Sequence, residues 1–95
     1  MEVSTGDIVC SLAGHDAGSL FFVVEAGPDS VLLADGKRRR VENPKRKNRK
    51  HVSIVARTDS RVADQLRQGD KVTNSELRRE LAACRRRSGQ NQGGQ

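Results

Sequence analysis

The chain has 95 residues, 34% of them hydrophobic and 32% charged, so it has room for one small core and none for a second independent domain. It contains neither a signal peptide nor an apolar stretch long enough to span a bilayer, which predicts a cytoplasmic protein with no membrane partner. The net charge of +6 conceals an asymmetry, because residues 1–36 carry −6, residues 37–50 carry +8 and the remainder carries +4. A one-sign cluster of this density predicts binding to a polyanion, and nucleic acid is the polyanion expected.

Three short strands are predicted in the first third of the chain. Residues 7–12 (DIVCSL) show short apolar alternation, which is typical of a half-buried strand. A glycine-containing loop, residues 13–19, leads to the apolar run LFFVVE at residues 20–25, which predicts the central strand. After the turn Gly27-Pro28-Asp29, residues 31–34 (VLLA) predict the third strand.

A hairpin and two further strands are predicted next. The dipeptide Asp35-Gly36 predicts a two-residue type I′ turn, which needs positive φ at both central positions. The returning strand is then residues 37–41, residues 43–50 form a loop because they contain no apolar side chain, and residues 51–56 form the fifth strand. Five short strands with tight turns predict a mainly β fold, a small antiparallel barrel, because closure removes exposed strand edges.

Two helices are predicted after the strands. Val62 and Leu66, followed by Gly69, predict a short helix with a glycine stop. Residues 73–76 (TNSE) have the form of a capping box, and an apolar stripe at helical spacing follows them. This stripe, which should dock the second helix on the barrel, consists of Leu77, Leu81 and Cys84.

The predicted organisation is a β domain over residues 1–57, a helical extension over residues 58–87 and a disordered polar tail over residues 88–95. The only cysteines, Cys10 and Cys84, form no CxxC pair, so two buried reduced thiols and no metal site are expected. No catalytic constellation or phosphate-cradling glycine motif is present. The sequence therefore predicts no enzymatic activity, no cofactor and no small-molecule substrate.

Two segments resemble a known family. Residues 6–24, GDIVCSLAGHDAGSLFFVV, and residues 34–52, ADGKRRRVENPKRKNRKHV, are similar to the KOW-domain RNA-binding proteins of bacteria, which resemble a KOW-containing large-subunit ribosomal protein of archaea and eukaryotes. The shared features are a Gly-x-x-Val opening, an Ala-Gly-x-Asp-x-Gly loop, an Asp-Gly-Lys turn and a Pro-Lys-x-Lys-Asn-x-Lys-His run. The resemblance covers roughly the first 56 residues. It implies an SH3-like five-stranded barrel that binds structured RNA, above all ribosomal RNA, with ribosomal proteins as further partners.

The contact surface is expected in the basic segment, residues 37–51. KOW loops commonly carry a basic residue before the second glycine, and Ala17 at that position moves the expected contact away from the first loop. The predicted RNA-binding residues are Lys37, Arg38, Arg39, Arg40, Lys45, Arg46, Lys47, Asn48, Arg49, Lys50 and His51. A second candidate contact loop contains Gly14, His15 and Gly18, although turn geometry alone also explains its glycines.

Several alternatives stay open from the sequence. The basic segment is either an RNA-binding surface or a solvated loop without a partner. The barrel is either an RNA binder, a nonspecific duplex DNA binder, or a module that docks on ribosomal or transcription proteins through its acidic N-terminal half. In the RNA-binding hypothesis the acidic half faces away from the basic segment. Arg85–Arg87 either complement the negative end of the second helix or supply an auxiliary RNA contact.

Overall fold

The computed structural model describes the backbone of residues 2–93 and the side chains of residues 2–87. These residues form one antiparallel sheet with the strand order β4-β3-β2-β1-β5, so β2 is central, as predicted. The strands are β1 (Ile8–Ser11), β2 (Leu20–Ala26), β3 (Ser30–Ala34), β4 (Lys45–Asn48) and β5 (Val52–Ala56). A 3-10 turn, Arg49–His51, joins β4 to β5, and two helices follow, α1 (Arg61–Gln68) and α2 (Asn74–Gly93).

The predicted fold class is confirmed: the protein is mainly β, of the small SH3-like barrel type, with C-terminal helices. Closure of the barrel by strand pairing is not observed. Within residues 2–93, β4 pairs only with β3 and β5 pairs only with β1, so each leaves one backbone edge free. None of the described helices is long and apolar enough to cross a membrane.

The sheet buries apolar side chains on both faces, which explains why β2 is an almost continuous apolar run. Phe21 lies in a cluster made only by the strands and Val3, whereas Phe22 lies on the opposite face in a cluster shared with both helices. β1 is also buried on both faces, through Ile8 and Val9, and the prediction that it is half-buried was wrong. Both phenylalanines are at most 1% exposed, so neither is free to stack on a base.

The connection between β3 and β4 differs from the prediction. Asp35-Gly36 does not form a type I′ turn, because only Gly36 has positive φ, at +79°. The Asp35 carboxylate instead accepts hydrogen bonds from the backbone amides two and four residues later, both at 2.9 Å, and organises a wider turn. The strand predicted at residues 37–41 is therefore wrong. The fourth strand is Lys45–Asn48, inside the segment predicted to be a loop.

Both helices begin where their capping residues indicate. Ser60 caps α1, and Gly69 ends it with φ +78°. At the start of α2, the Thr73 amide donates to Glu76 Oε1 at 2.9 Å, and the Glu76 amide donates to Thr73 Oγ1 at 3.1 Å. This reciprocal pair confirms the capping box. The predicted docking stripe is also confirmed, since its three members lie in the helix-side cluster: Leu77, Leu81 and Cys84.

The second helix is longer than the sequence predicted. Its backbone continues to Gly93, into the segment from residue 88 onward that was predicted to be disordered; the last two residues of that segment lie outside the described residues. Arg85–Arg87 consequently lie before the last turn of α2, so complementing its C-terminal dipole does not explain them. Of the two thiols, Cys84 is buried as expected, whereas Cys10 is only half-buried.

Candidate nucleic-acid interface

β4 sorts the cations of the basic segment into two sets, because successive side chains of a strand point to opposite faces. Lys45 and Lys47 face the loop after β1, whereas Arg46 and Asn48 are exposed on the other face. We call the cations held by the protein itself the inward set: Lys45, Lys47 and Arg49. We call the exposed cations the outward set: Lys37, Arg38, Arg40, Arg46 and Lys50.

Lys47 is more enclosed than Lys45, with 9% of its side chain exposed against 29%. Its ammonium group donates to Asp16 Oδ1 at 2.7 Å, to the Ala13 carbonyl at 2.7 Å and to Ser11 Oγ at 2.9 Å. An ammonium group has three donors, so all of them are satisfied within the protein. Lys47 in this conformation has no donor left for a phosphate.

Asp16 is the anion that holds the inward lysines. Its Oδ2 accepts from Lys45 Nζ at 2.7 Å, and its Oδ1 also accepts from Ser11 Oγ at 2.8 Å. Burial by itself raises the pKa of Asp16, but the hydrogen bonds from Lys45, Lys47 and Ser11 outweigh it and hold that pKa well below its usual value. The expectation that the acidic half faces away from the basic segment is therefore wrong at Asp16. The ion pairs join the edge strand β4 to the loop after β1.

Arg49 binds backbone carbonyls rather than a carboxylate. Its Nε donates to the Gly27 carbonyl and its Nη1 to the Val3 carbonyl, both at 2.8 Å. These bonds tie the 3-10 turn to the β2–β3 turn and to the N-terminal segment. Arg49 was predicted to bind RNA, and the structure gives two of its donors to the fold itself.

The remaining predicted residues of this region have mixed positions. Asn48 caps the 3-10 turn, its Oδ1 accepting from the Lys50 amide at 3.0 Å, which accounts for an asparagine there without any base contact. His51 is half-buried, and its carbonyl accepts from the Leu12 amide at 2.8 Å. Arg39 is half-buried in the turn after β3.

The outward set is exposed, with three members in the turn after β3, one in β4 and one in the 3-10 turn. None of its five side chains makes an ion pair within 4 Å among the described residues, whereas Lys45 and Lys47 both do. The outward cations are therefore exposed to solvent without an ion pair, although the pKa of Glu42, lowered mainly by its hydrogen bond from Asn74, is lowered further by the charge of Arg40. This difference could not be read from the sequence, in which both sets belong to one basic segment.

Helix α2 anchors the turn that carries Lys37, Arg38 and Arg40. Arg78 Nη1 donates to the Gly36 carbonyl at 2.6 Å, and the Asn74 Oδ1 accepts from the Val41 amide at 2.8 Å. A Cβ at Gly36 would clash with the Asn74 carbonyl oxygen, so glycine allows the turn to approach the start of α2 this closely. Arg78 is exposed, and no pattern in the sequence indicated its bond to the turn.

The second candidate loop is exposed at Gly14, His15 and Gly18. Gly18 has φ +90° and no heavy atom within 4 Å of the place where a Cβ would lie, so its surface is open. A Cβ at Gly14 would lie 3.6 Å from Lys47 Nζ, so this glycine instead borders the buried ion pairs. The two glycines thus differ in their surroundings.

One pocket in the described part of the chain offers little to a polyanion. A pocket of about 610 Å³ lies between the sheet and the α1–α2 connection, and its charged lining residues have both signs: Glu42, Asp70 and Lys71. Within residues 2–93, no three His, Cys, Asp or Glu side chains group together in a way that could hold a metal ion.

Comparison with known proteins assigns no family, since neither the models of known protein families nor the curated proteins match this chain. The resemblance to KOW-domain proteins therefore stays a prediction from the sequence, and function has to be argued from the geometry of the basic surface.

Proposed function

We propose that this protein binds structured RNA through the outward set and that it is associated with the ribosome, as its resemblance to KOW-domain proteins implies. The observation that carries the proposal is the exposure of five cations, without an ion pair among the described residues, in the turn after β3, in β4 and in the 3-10 turn. Charges of one sign at close quarters repel each other, and a polyanion relieves that repulsion.

The expected mode of recognition is contact with phosphates and with the shape of a folded RNA. The chain has no Tyr or Trp, and Phe21 and Phe22 are buried, so stacking on unpaired bases has no aromatic partner. Arg38, Arg40 and Arg46 can each bind a phosphate with two parallel hydrogen bonds, whereas a lysine supplies a point charge.

The surface is also held in place before any ligand arrives. The Asp16 ion pairs fix β4, and the bonds from Arg78 and Asn74 fix the turn after β3. A surface ordered in advance loses less conformational entropy on binding than a flexible basic loop would. This argument favours a specific RNA site over loose electrostatic attraction.

A charge-matched pair of triple variants tests the proposal. Alanine at Arg40, Arg46 and Lys50 removes three outward cations, and alanine at Arg61, Lys71 and Arg79 removes three exposed cations outside the outward set. Affinity for labelled ribosomal RNA fragments is measured over a series of salt concentrations. The outward triple should bind weakly, and the slope of log affinity against log salt should become shallower by about 3. Equal weakening by the two triples would contradict a defined contact surface.

Two further measurements separate RNA binding from its alternatives. Competition with duplex DNA of the same length should displace the RNA poorly, and equal displacement would favour a nonspecific DNA binder. Sedimentation of native extract should place the protein with large-subunit particles at moderate salt. Recovery only at the top of the gradient would count against the ribosomal association.

A further inference from the structure

Three cations line a small pocket that could not be predicted from the sequence. The pocket has a volume of about 320 Å³ and is built from the loop before β2, the turn after β3 and the middle of α2. Its lining residues are Gly18, Ser19, Asp35, Lys37, Arg38 and Arg85. Arg85 is remote in sequence from Lys37 and Arg38, so only the docking of α2 brings the three together.

The pocket also contains one carboxylate, which a site for a bare phosphate would exclude. Asp35 is 9% exposed, and its Oδ1 accepts from the Lys37 and Arg39 amides. Its Oδ2 takes part in no hydrogen bond or ion pair with the side chains and backbone that the structure describes. This oxygen is therefore left as an acceptor for a donor group of a ligand.

One wall of the pocket is bare backbone. Gly18 is exposed, and the space where a Cβ would lie is empty to 4 Å. A bulky ligand can thus approach the chain closely at this point, which a side chain at Gly18 would prevent. The pocket combines positive charge, one free acceptor and room at its rim.

We propose that this pocket binds one nucleotide unit of an RNA chain, with the phosphate held by Lys37, Arg38 and Arg85 and the ribose 2′-hydroxyl donating to Asp35 Oδ2. The proposal rests on the RNA-binding function proposed above and adds a means of choosing RNA over DNA. A ribonucleotide offers a hydroxyl donor close to its phosphate, which matches cations beside a carboxylate. A deoxynucleotide has no such donor and leaves the carboxylate unpaired.

Neighbouring arginines on α2 give a matched test of the cationic part. Arg85 lines the pocket and Arg86 does not, although both are exposed and one residue apart. Binding of a labelled RNA hairpin should weaken about tenfold in Arg85→Ala, as expected for a charge-assisted contact, and less than twofold in Arg86→Ala. Equal weakening of both would overturn the pocket while leaving the outward-triple result intact. Failure of the wild-type protein to bind the hairpin would instead overturn the RNA-binding function itself.

The hydroxyl contact is tested with Asp35→Asn, which retains one oxygen to accept from the two amides and replaces the other with a donor. The wild-type protein should prefer the RNA hairpin to a DNA hairpin of the same sequence, and the variant should lose this preference without losing affinity for DNA. A preference that persists in Asp35→Asn would overturn the hydroxyl contact.

A second measurement keeps the proposal testable if Asp35→Asn disturbs the turn. Single 2′-deoxy substitutions along the RNA hairpin should lower its affinity for the wild-type protein at one position only. An equal effect at every position would overturn the hydroxyl contact. Free AMP carries the same phosphate and hydroxyl groups, so micromolar displacement of the hairpin by AMP would overturn the assignment to an RNA chain.

Discussion

The inward and outward sets differ in role although they alternate along a few consecutive residues. Lys47 is enclosed by Asp16 and backbone, whereas Arg46 beside it is exposed and makes no ion pair within the described residues. A strand of period two separates neighbours onto opposite faces, so adjacent charges of the same sign can serve the fold and the surface respectively. A count of basic residues therefore overstates the size of a nucleic-acid contact surface.

The difference also shows why a lysine can occupy an inward position. Removing an ammonium group from water is costly unless its donors are paired, and Lys47 has all three paired. Asp16 supplies the compensating charge from a loop far earlier in the chain. The position tolerates a cation only because the acidic and basic halves meet here.

The largest effect is expected from removing the buried ammonium group. Lys47→Met leaves the buried Asp16 carboxylate with Lys45 as its remaining ion-pair partner and should lower the free energy of unfolding by about 4 kcal/mol. The matched variant Arg46→Met, on the outer face of the same strand, should change it by less than about 0.5 kcal/mol. Urea denaturation followed by circular dichroism measures both. Similar losses in the two variants would erase the distinction between the sets.

The next largest effect concerns the attachment of the outward turn to α2. Gly36→Ala combines a left-handed backbone with a clash against Asn74 and should lower the free energy of unfolding by about 3 kcal/mol. Gly18→Ala has the same backbone problem with open space around it, so about 1 kcal/mol is expected. Thermal unfolding of the two alanine variants compares them. If Gly18→Ala proved equally costly, close packing of the turn on α2 would not be what requires glycine.

A smaller effect should appear in the pH dependence of stability. The pKa of Asp16 is lower in the folded protein than in the unfolded chain, so its contribution is present above the ordinary aspartate pKa of about 3.9 and is lost as the pH falls. The stability difference between wild type and Asp16→Asn should be constant from about pH 5.5 to 7.5 and should narrow below about pH 4. Asp59→Asn, at an exposed position, serves as the control. A difference that stayed constant into acid would mean that Asp16 is not held by the inward lysines.

The smallest effects are expected at two neighbours on β4, one of which should affect RNA binding and the other stability. Arg46→Ala should weaken RNA binding about threefold and make the salt slope shallower by about 1, with stability unchanged. Lys45→Ala should instead lower the free energy of unfolding by about 1 kcal/mol, since its side chain is 29% exposed and Asp16 keeps Lys47. Isothermal titration and urea denaturation of both proteins complete the comparison. A loss of affinity in both variants with stability intact would place Lys45 in the outward set.

Apolar periodicity predicted most of the fold and none of β4. The strands built from Val, Leu, Ile and Phe, the capping box and the docking stripe were found because their signals are local. β4 consists of Lys, Arg, Lys and Asn, and its inward positions are filled by charges whose partner lies in another part of the chain. No local pattern distinguishes such a strand from a loop.

The candidate site was predicted in location but not in composition. Charge density identified residues 37–51, and the structure divides that segment between fold and surface. Arg85 lines the smaller pocket only because α2 docks on the sheet, and Asp35 does so only because its turn is wider than a hairpin. Asp16 is a further case. Replacing it with alanine to test whether the acidic N-terminal half docks on a protein partner would also disrupt the ion pairs of β4, so a loss of docking would have two explanations.

The free edge of β4 has a consequence for how the protein behaves in concentrated solution. An unpaired strand edge is a template on which another copy of the chain can add a strand, and natural proteins discourage this with charge and with proline. β4 carries the exposed Arg46 and follows directly after Pro44, so both of these devices are present at its free edge. Neutralising Arg46 would weaken that protection as well as one of the proposed nucleic-acid contacts. Arg46 and Pro44 thus also discourage the addition of another strand at this edge.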